Sequence, residues 1–174
     1  MKGSLAGALM LFVSPAFGAI KSINPLPEGS LPLYNVHTDE RLQVNYRDSN
    51  GNYNEESLKE LNYFLRCHYT QKIITIDIRV IEFLNLVHKN IGGKEEIEVI
   101  SGYRSPEYNN LLIKEGRGAA KHSLHLQGKA IDIRMPKVEL SRIRDIALNL
   151  QYGGVGYYPD SGFIHLDSGA VRSW

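Results

Sequence analysis

His125 and Asp132 stand seven positions apart in the stretch Ser123-Leu-His-Leu-Gln-Gly-Lys-Ala-Ile-Asp132, and His165 follows thirty-three residues later within Phe163-Ile-His-Leu-Asp167. Imidazole nitrogen and carboxylate oxygen are both zinc ligand types, and a set of three protein ligands leaves one of four tetrahedral positions open. A water in that position ionises near pH 7 instead of about 15.7, so an open site of this kind is hydrolytic. The competing reading is that three polar residues on strands are simply solvated or hydrogen-bonded. A solvated face, however, gives no reason for Ser123, Gly128 and Ala130 to cluster around the ligand types.

These side chains need strands to carry them. In Lys129–Met135 the residues Ile131, Ile133 and Met135 face one way, while Ala130, Asp132 and Arg134 face the other. In the last strand Ile164 and Leu166 share a face, and Phe163, His165 and Asp167 share the opposite one. Both strands thus turn a ligand type away from their apolar side. A loop at Pro159–Gly162 joins the last strand to another at Val155–Tyr158. Alternation over Leu33–His37 and Leu42–Tyr46 predicts a front hairpin. Asn54 caps a helix with Leu58, Leu61, Phe64, Leu65 and His68 on one side. A second helix begins near Thr75 or Asp77 and stops at Gly92-Gly93, and the two form the expected core pair. Glu96–Tyr103 reads as a strand, Ser105-Pro106 opens a third helix, and Leu140, Ile143, Ile146, Ala147 and Leu150 mark a fourth. The predicted fold is α+β, a small antiparallel sheet packed on helices by one face with the site on the other.

At 174 residues and 43% hydrophobic content the chain fits one domain. Residues 1–18 read as an export signal: Lys2, an apolar-to-small run from Leu5 to Phe17, and Ala16-Phe17-Gly18 as a small-x-small cleavage site. That run is shorter than the roughly 20 apolar residues of a spanning helix. Residues 19–32 read as an extended lead-in and 33–174 as the domain. Without Lys2 the formal charge is zero, so neither nucleic acid nor an anionic membrane is an electrostatically favoured partner. Cys67 is the only cysteine, which rules out an intramolecular disulfide and leaves the core or a metal to stabilise the fold. His37, His68 and His88 fall outside any ligand pattern and read as surface or packing residues. Tyr157 and Tyr158 are candidates to line a peptide cleft, although core packing is the commoner fate of such residues.

The pattern Ser123-x-His125-x-x-Gly128-x-Ala130-x-Asp132, followed by His165, resembles the zinc motif of the lysostaphin, D-alanyl-D-alanine metallopeptidase and hedgehog superfamily. Ser101-Gly-Tyr-Arg-Ser105 is similar to the segment that supplies an active-site arginine in its D-alanyl-D-alanine peptidase branch. The front hairpin and the ending Val171-Arg-Ser-Trp174 resemble exported Gram-negative murein endopeptidases. The resemblance implies Zn2+ held by His125, Asp132 and His165, with Ser123 as polar support and Arg104 binding a substrate carboxylate or steadying an oxyanion. It implies peptidoglycan peptides as substrate and the periplasm as location. Relatives place the general base two or three positions before the last histidine. Those positions here are Phe163 and Gly162, and neither takes a proton. Asp167, roughly 7 Å along the strand from His165, is the expected base, with His122 and Asp160 as secondary candidates. The implied activity is hydrolysis of an amide in peptidoglycan cross-links or stems by a murein endopeptidase of D,D or L,D specificity, with a carboxypeptidase as the less favoured reading. The alternatives are a zinc-stabilised binding module without catalysis and a metal-free envelope protein.

Overall fold

A computed structural model describes residues 28–174; the expected export signal, and the lead-in as far as residue 27, lie outside the described residues. The described chain runs β1 (Gly29–Asn35), β2 (Glu40–Arg47), α1 (Glu55–Phe64), α2 (Ile78–Ile91), β3 (Ile97–Ser101) and α3 (Pro106–Lys114). It continues through a 3-10 turn (Leu124–Gln127) to β4 (Ala130–Arg134), α4 (Leu140–Leu150), β5 (Gly154–Tyr158), β6 (Phe163–Asp167) and β7 (Arg172–Ser173). All seven strands form one sheet in the order β2-β1-β3-β4-β6-β5-β7.

The α+β class stands, but the sheet is larger than expected and mixed: β1 pairs with β3, and β5 with β7, in parallel. β1 also begins at Gly29, inside the expected lead-in. Pro32 hid that start, since a proline inside a run reads as a break. It is tolerated because the parallel pairing to β3 covers only Leu33–Asn35, so Pro32 faces β2 alone.

Ile131 and Ile133 of β4 lie opposite Leu166 and Ile164 of β6, and this face packs on α2 and α4. Each such fully buried side chain contributes about 1.5–3 kcal/mol, which holds the strands that carry the site in fixed register. Both expected helices contribute to the core, with α2 packing mainly against α4 and α1 mainly against β2. The thirteen residues from Leu65 to Asp77 separate the two helices in the chain, and Ile76 N donates back to Asn62 Oδ1 of α1 at 2.8 Å.

Asp77 fixes the start of α2. Its carboxylate accepts from the Arg79 amide at 3.0 Å, pairs with the Arg79 guanidinium at 2.7 Å and accepts from Ser168 Oγ at 2.8 Å, next to the end of β6. The Arg79 side chain, with the amide and hydroxyl bonds, lowers the carboxyl to about 2 despite partial burial. This stabilisation is complete above the unfolded carboxyl value near 3.9 and is lost as pH falls through about 2. Asp77→Ala is therefore expected to cost about 1 kcal/mol at pH 7 in urea unfolding. The gap from wild type should close between pH 4 and pH 2, and a gap that persisted at pH 2 would assign the effect to packing.

Candidate metal centre

One lateral row of the sheet carries most of the site. Ser101 of β3 lies opposite Asp132 of β4, Asp132 opposite His165 of β6, and His165 opposite Gly156 of β5. Cross-strand partners of this kind project from the same face, here the one away from α2 and α4. His125 joins the row from outside the sheet. Ser123 caps the 3-10 turn, its Oγ accepting from the His125 amide at 3.3 Å. Gly128 ends the turn at φ 64°, in the left-handed region that suits glycine, and the chain enters β4 two residues later. The Arg104 amide donates to the His125 carbonyl at 3.2 Å, tying the turn to the β3–α3 connection.

The three ligand-type atoms converge. His165 Nδ1 is 2.8 Å from Asp132 Oδ1, His125 Nε2 is 3.2 Å from the same oxygen, and the two nitrogens are 3.2 Å apart. These separations approach the tetrahedral edge of about 3.3 Å set by zinc bonds of roughly 2.0–2.1 Å. The outer ring nitrogens decide what points inward. His125 Nδ1 lies 2.7 Å from the Gly102 carbonyl, which can only accept, so Nδ1 carries the hydrogen and Nε2 presents a lone pair. His165 Nε2 donates to Asp167 Oδ2 at 3.1 Å, leaving Nδ1 to face inward. Fixing the tautomer through the outer nitrogen in this way is characteristic of metal-ligating histidines.

The electrostatics show the same demand for positive charge. Burial alone would raise the Asp132 carboxyl, but His125, His165 and Arg104 hold it far below the usual carboxylate range. Burial pushes His125 down, against the pull of Asp132, towards the neutral form that ligates metal. For His165 burial also opposes charge, yet the hydrogen bonds to Asp132 and Asp167 outweigh it and raise its proton affinity. Three Lewis-basic atoms converging from buried side chains form a candidate metal site.

Arg104 donates through Nε to Ser101 Oγ at 2.9 Å and through Nη2 to Asp132 Oδ2, so the two oxygens of Asp132 serve different partners. Ser123 acts on the backbone of His125 and also lines the cleft. Asp167 requires a correction. The strand-face reading placed it beside the open side of the set, whereas it lies behind His165 on the outer ring nitrogen, fully buried. Gly169 N and the Arg172 guanidinium also bind it, at 2.8 and 2.7 Å. Burial would raise this carboxyl, but His165, Arg172 and the Gly169 amide bring it down to about 2. In this position the carboxylate of Asp167 is committed to the outer ring nitrogen of His165, to Gly169 N and to Arg172.

The set opens into a cleft of about 670 Å³ whose lining includes Ile100, Arg104, Arg117, His122, Phe163 and Trp174. His122 is an imidazole of this lining outside the ligand set, and Asp160 is not in the lining. Tyr158 faces the cleft and Tyr157 packs on the core. Cys67 is buried in the core, His88 is buried with Nε2 on the Glu95 carbonyl, and His37 stacks on His68 at 3.9 Å. Sequence reasoning missed Arg172 and Trp174, which reach the site because β7 returns alongside β5. A two-residue strand leaves no periodic signal.

Comparison with known proteins gives a family and several relatives. The family model described as peptidoglycan L,D-endopeptidase MepK matches residues 27–174. The chain is 38% identical over 172 residues to peptidoglycan L,D-endopeptidase MepK of Escherichia coli strain K12, covering 99% of this chain and 92% of the relative. The Shigella flexneri protein of the same name gives the same identity and coverage. A protein named probable peptidoglycan L,D-endopeptidase MepK, from Haemophilus influenzae, is 40% identical over 145 residues, with 83% of this chain and 77% of the relative covered.

Proposed function

Since this chain belongs to the peptidoglycan L,D-endopeptidase MepK family, we propose that it is a zinc-dependent peptidase of the periplasm that hydrolyses an amide in peptidoglycan peptides, with L,D-bond specificity. The observation that carries the metal assignment is the convergence of His125 Nε2, Asp132 Oδ1 and His165 Nδ1 at the cleft, with both outer ring nitrogens already committed. Among the described residues no helix is long and apolar enough to cross a membrane, which accords with an exported, non-spanning domain.

Zinc held by these three residues would supply Lewis-acid polarisation of an amide carbonyl and would bring the ionisation of a water towards neutral pH. The protein supplies the rest. His125 and His165 are held in their ligating tautomers by Gly102 and Asp167. Arg104, braced by Ser101 and Asp132, presents a cation at the wall of the cleft, placed to orient the substrate carbonyl or a nearby carboxylate. His122, on the same cleft, moves the proton between water and the leaving amine.

A paired substitution separates these roles. Asp167→Asn should weaken zinc binding by about 10–100-fold yet keep turnover once zinc saturates the site. His122→Ala should keep zinc and lose about 10²–10⁴ in kcat. If Asp167→Asn abolished turnover at full zinc load while His122→Ala did not, the proton-transfer role would return to Asp167. Mass spectrometry of defined cross-linked muropeptides, incubated with the protein with and without a chelator, tests the function as a whole. New peptide products that the chelator suppresses are expected. Binding of the muropeptides without products would favour a module that retained the metal but not catalysis.

A further inference from the structure

Trp174 is the only tryptophan of the sequence, and its indole is held in a built seat at the edge of the metal centre. Its backbone continues past β7 along β5: Trp174 N donates to the Val155 carbonyl at 3.3 Å and Tyr157 N to the Trp174 carbonyl at 3.0 Å. The indole Nε1–H donates to Tyr158 Oη at 2.7 Å, and the Arg172 guanidinium lies 4.9 Å from the ring. The ring lies over Gly156, where an added Cβ would meet Trp174 Cε2 at 2.8 Å and Cζ2 at 2.9 Å. Its centroid is 5.3 Å from that of His165.

Three contacts therefore fix the plane of a large apolar ring, and yet 49% of the residue remains exposed, in the lining of the cleft. A tryptophan serving only the core would bury that surface, which is worth about 25 cal/mol per Å². The sequence instead makes room for it with a glycine at the position opposite His165. A ring of fixed orientation that is half exposed in the lining of the cleft, 5.3 Å from the His165 ring, has the properties of a binding platform.

We propose that Trp174, aligned by Tyr158 and Arg172, is the stacking platform for the substrate peptide on the β5 side of the metal centre. The inference rests on the function proposed above. The exposed part of the ring takes planar amides and the aliphatic parts of peptide side chains, while Arg104 and Arg117 of the same lining are left to meet charged groups. Trp174 thus acts on binding and registration of the peptide, and the chemistry stays with the metal centre and its neighbours.

The single tryptophan makes the test direct. The full chain is freed of zinc with a chelator, so that nothing is cleaved, and titrated with a defined cross-linked muropeptide dimer. Tryptophan emission, excited at 295 nm to avoid tyrosine, should shift saturably at the same concentration at which calorimetry shows binding. With zinc restored, Trp174→Ala should raise KM about tenfold with kcat within about twofold, and Trp174→Phe should recover most of the loss. Zinc content and thermal unfolding of each variant report whether the seat or the metal was damaged instead. Binding seen by calorimetry without an emission change overturns the platform, as does a Trp174→Ala variant of unchanged KM. So does a KM defect that Trp174→Phe does not relieve. If wild-type protein neither binds nor cleaves the dimer, the underlying function fails as well, which the calorimetry alone reveals.

Discussion

Asp132→Ala is expected to leave the protein without zinc and to reduce muropeptide cleavage by about 10³-fold or more, the rate equivalent of the several kcal/mol that a bound metal contributes. Asp132 is buried and serves two sides: Oδ1 faces both histidines and Oδ2 faces Arg104. Its removal deletes a ligand-type oxygen and also leaves the Arg104 guanidinium without its carboxylate partner. Breaking a buried pair from one side costs about 3–5 kcal/mol, so the variant should be less stable even before metal is considered. Asp132→Asn separates the contributions, because it keeps the shape and removes the charge. It should also lose zinc while unfolding at a higher denaturant concentration than Asp132→Ala. An Asp132→Asn protein with a full zinc complement would show that the two histidines suffice and that the carboxylate belongs to Arg104.

Arg104→Ala should retain zinc at the wild-type level and lose about 10²–10³ in kcat/KM, the range for removal of one preorganised donor at a developing charge. Removing a cation next to the ligand set does not weaken its hold on a divalent metal, so the two readouts diverge. Arg104→Lys should recover little. An ammonium cannot reach Ser101 Oγ and Asp132 Oδ2 together while keeping further donors for substrate, as the planar guanidinium does. Loss of zinc in Arg104→Ala would instead make the residue a brace for Asp132, with no direct part in substrate placement. Side-by-side metal analysis and steady-state kinetics on the Asp132 and Arg104 variants distinguish these cases.

The residues of the candidate site were legible in the sequence to the extent that strand alternation and turn chemistry could carry them. Alternation puts Asp132 and His165 on the faces away from Ile131, Ile133, Ile164 and Leu166, and the structure sets the two opposite each other in register. Alternation assigns a face, not the direction in which a side chain leans within it. That is why Asp167, on the same face as His165, read as a neighbour of the open site and instead lies on the far ring nitrogen. Small residues clear space beside Asp167. Ala130 and Gly154 flank Asp167 across the strands, and a Cβ at Gly154 would meet Asp167 Oδ2 at 2.4 Å. Their meaning depends on β7, which returns Arg172 to that space through a pairing formed by two residues. The parallel joins of β1 to β3 and β5 to β7 are non-local, and no local pattern encodes them.

On the function proposed above, His125, Asp132 and His165 together hold one zinc ion at the cleft. Zinc-edge X-ray absorption on the purified full chain tests it most directly, with metal content measured on the same sample. The expected result is one zinc per chain in a shell of two imidazole nitrogens and light-atom oxygen ligands, lost together in the Asp132→Ala protein. A sulfur shell, which would point to Cys67, or a chain that takes up no zinc when the ion is supplied, would contradict it.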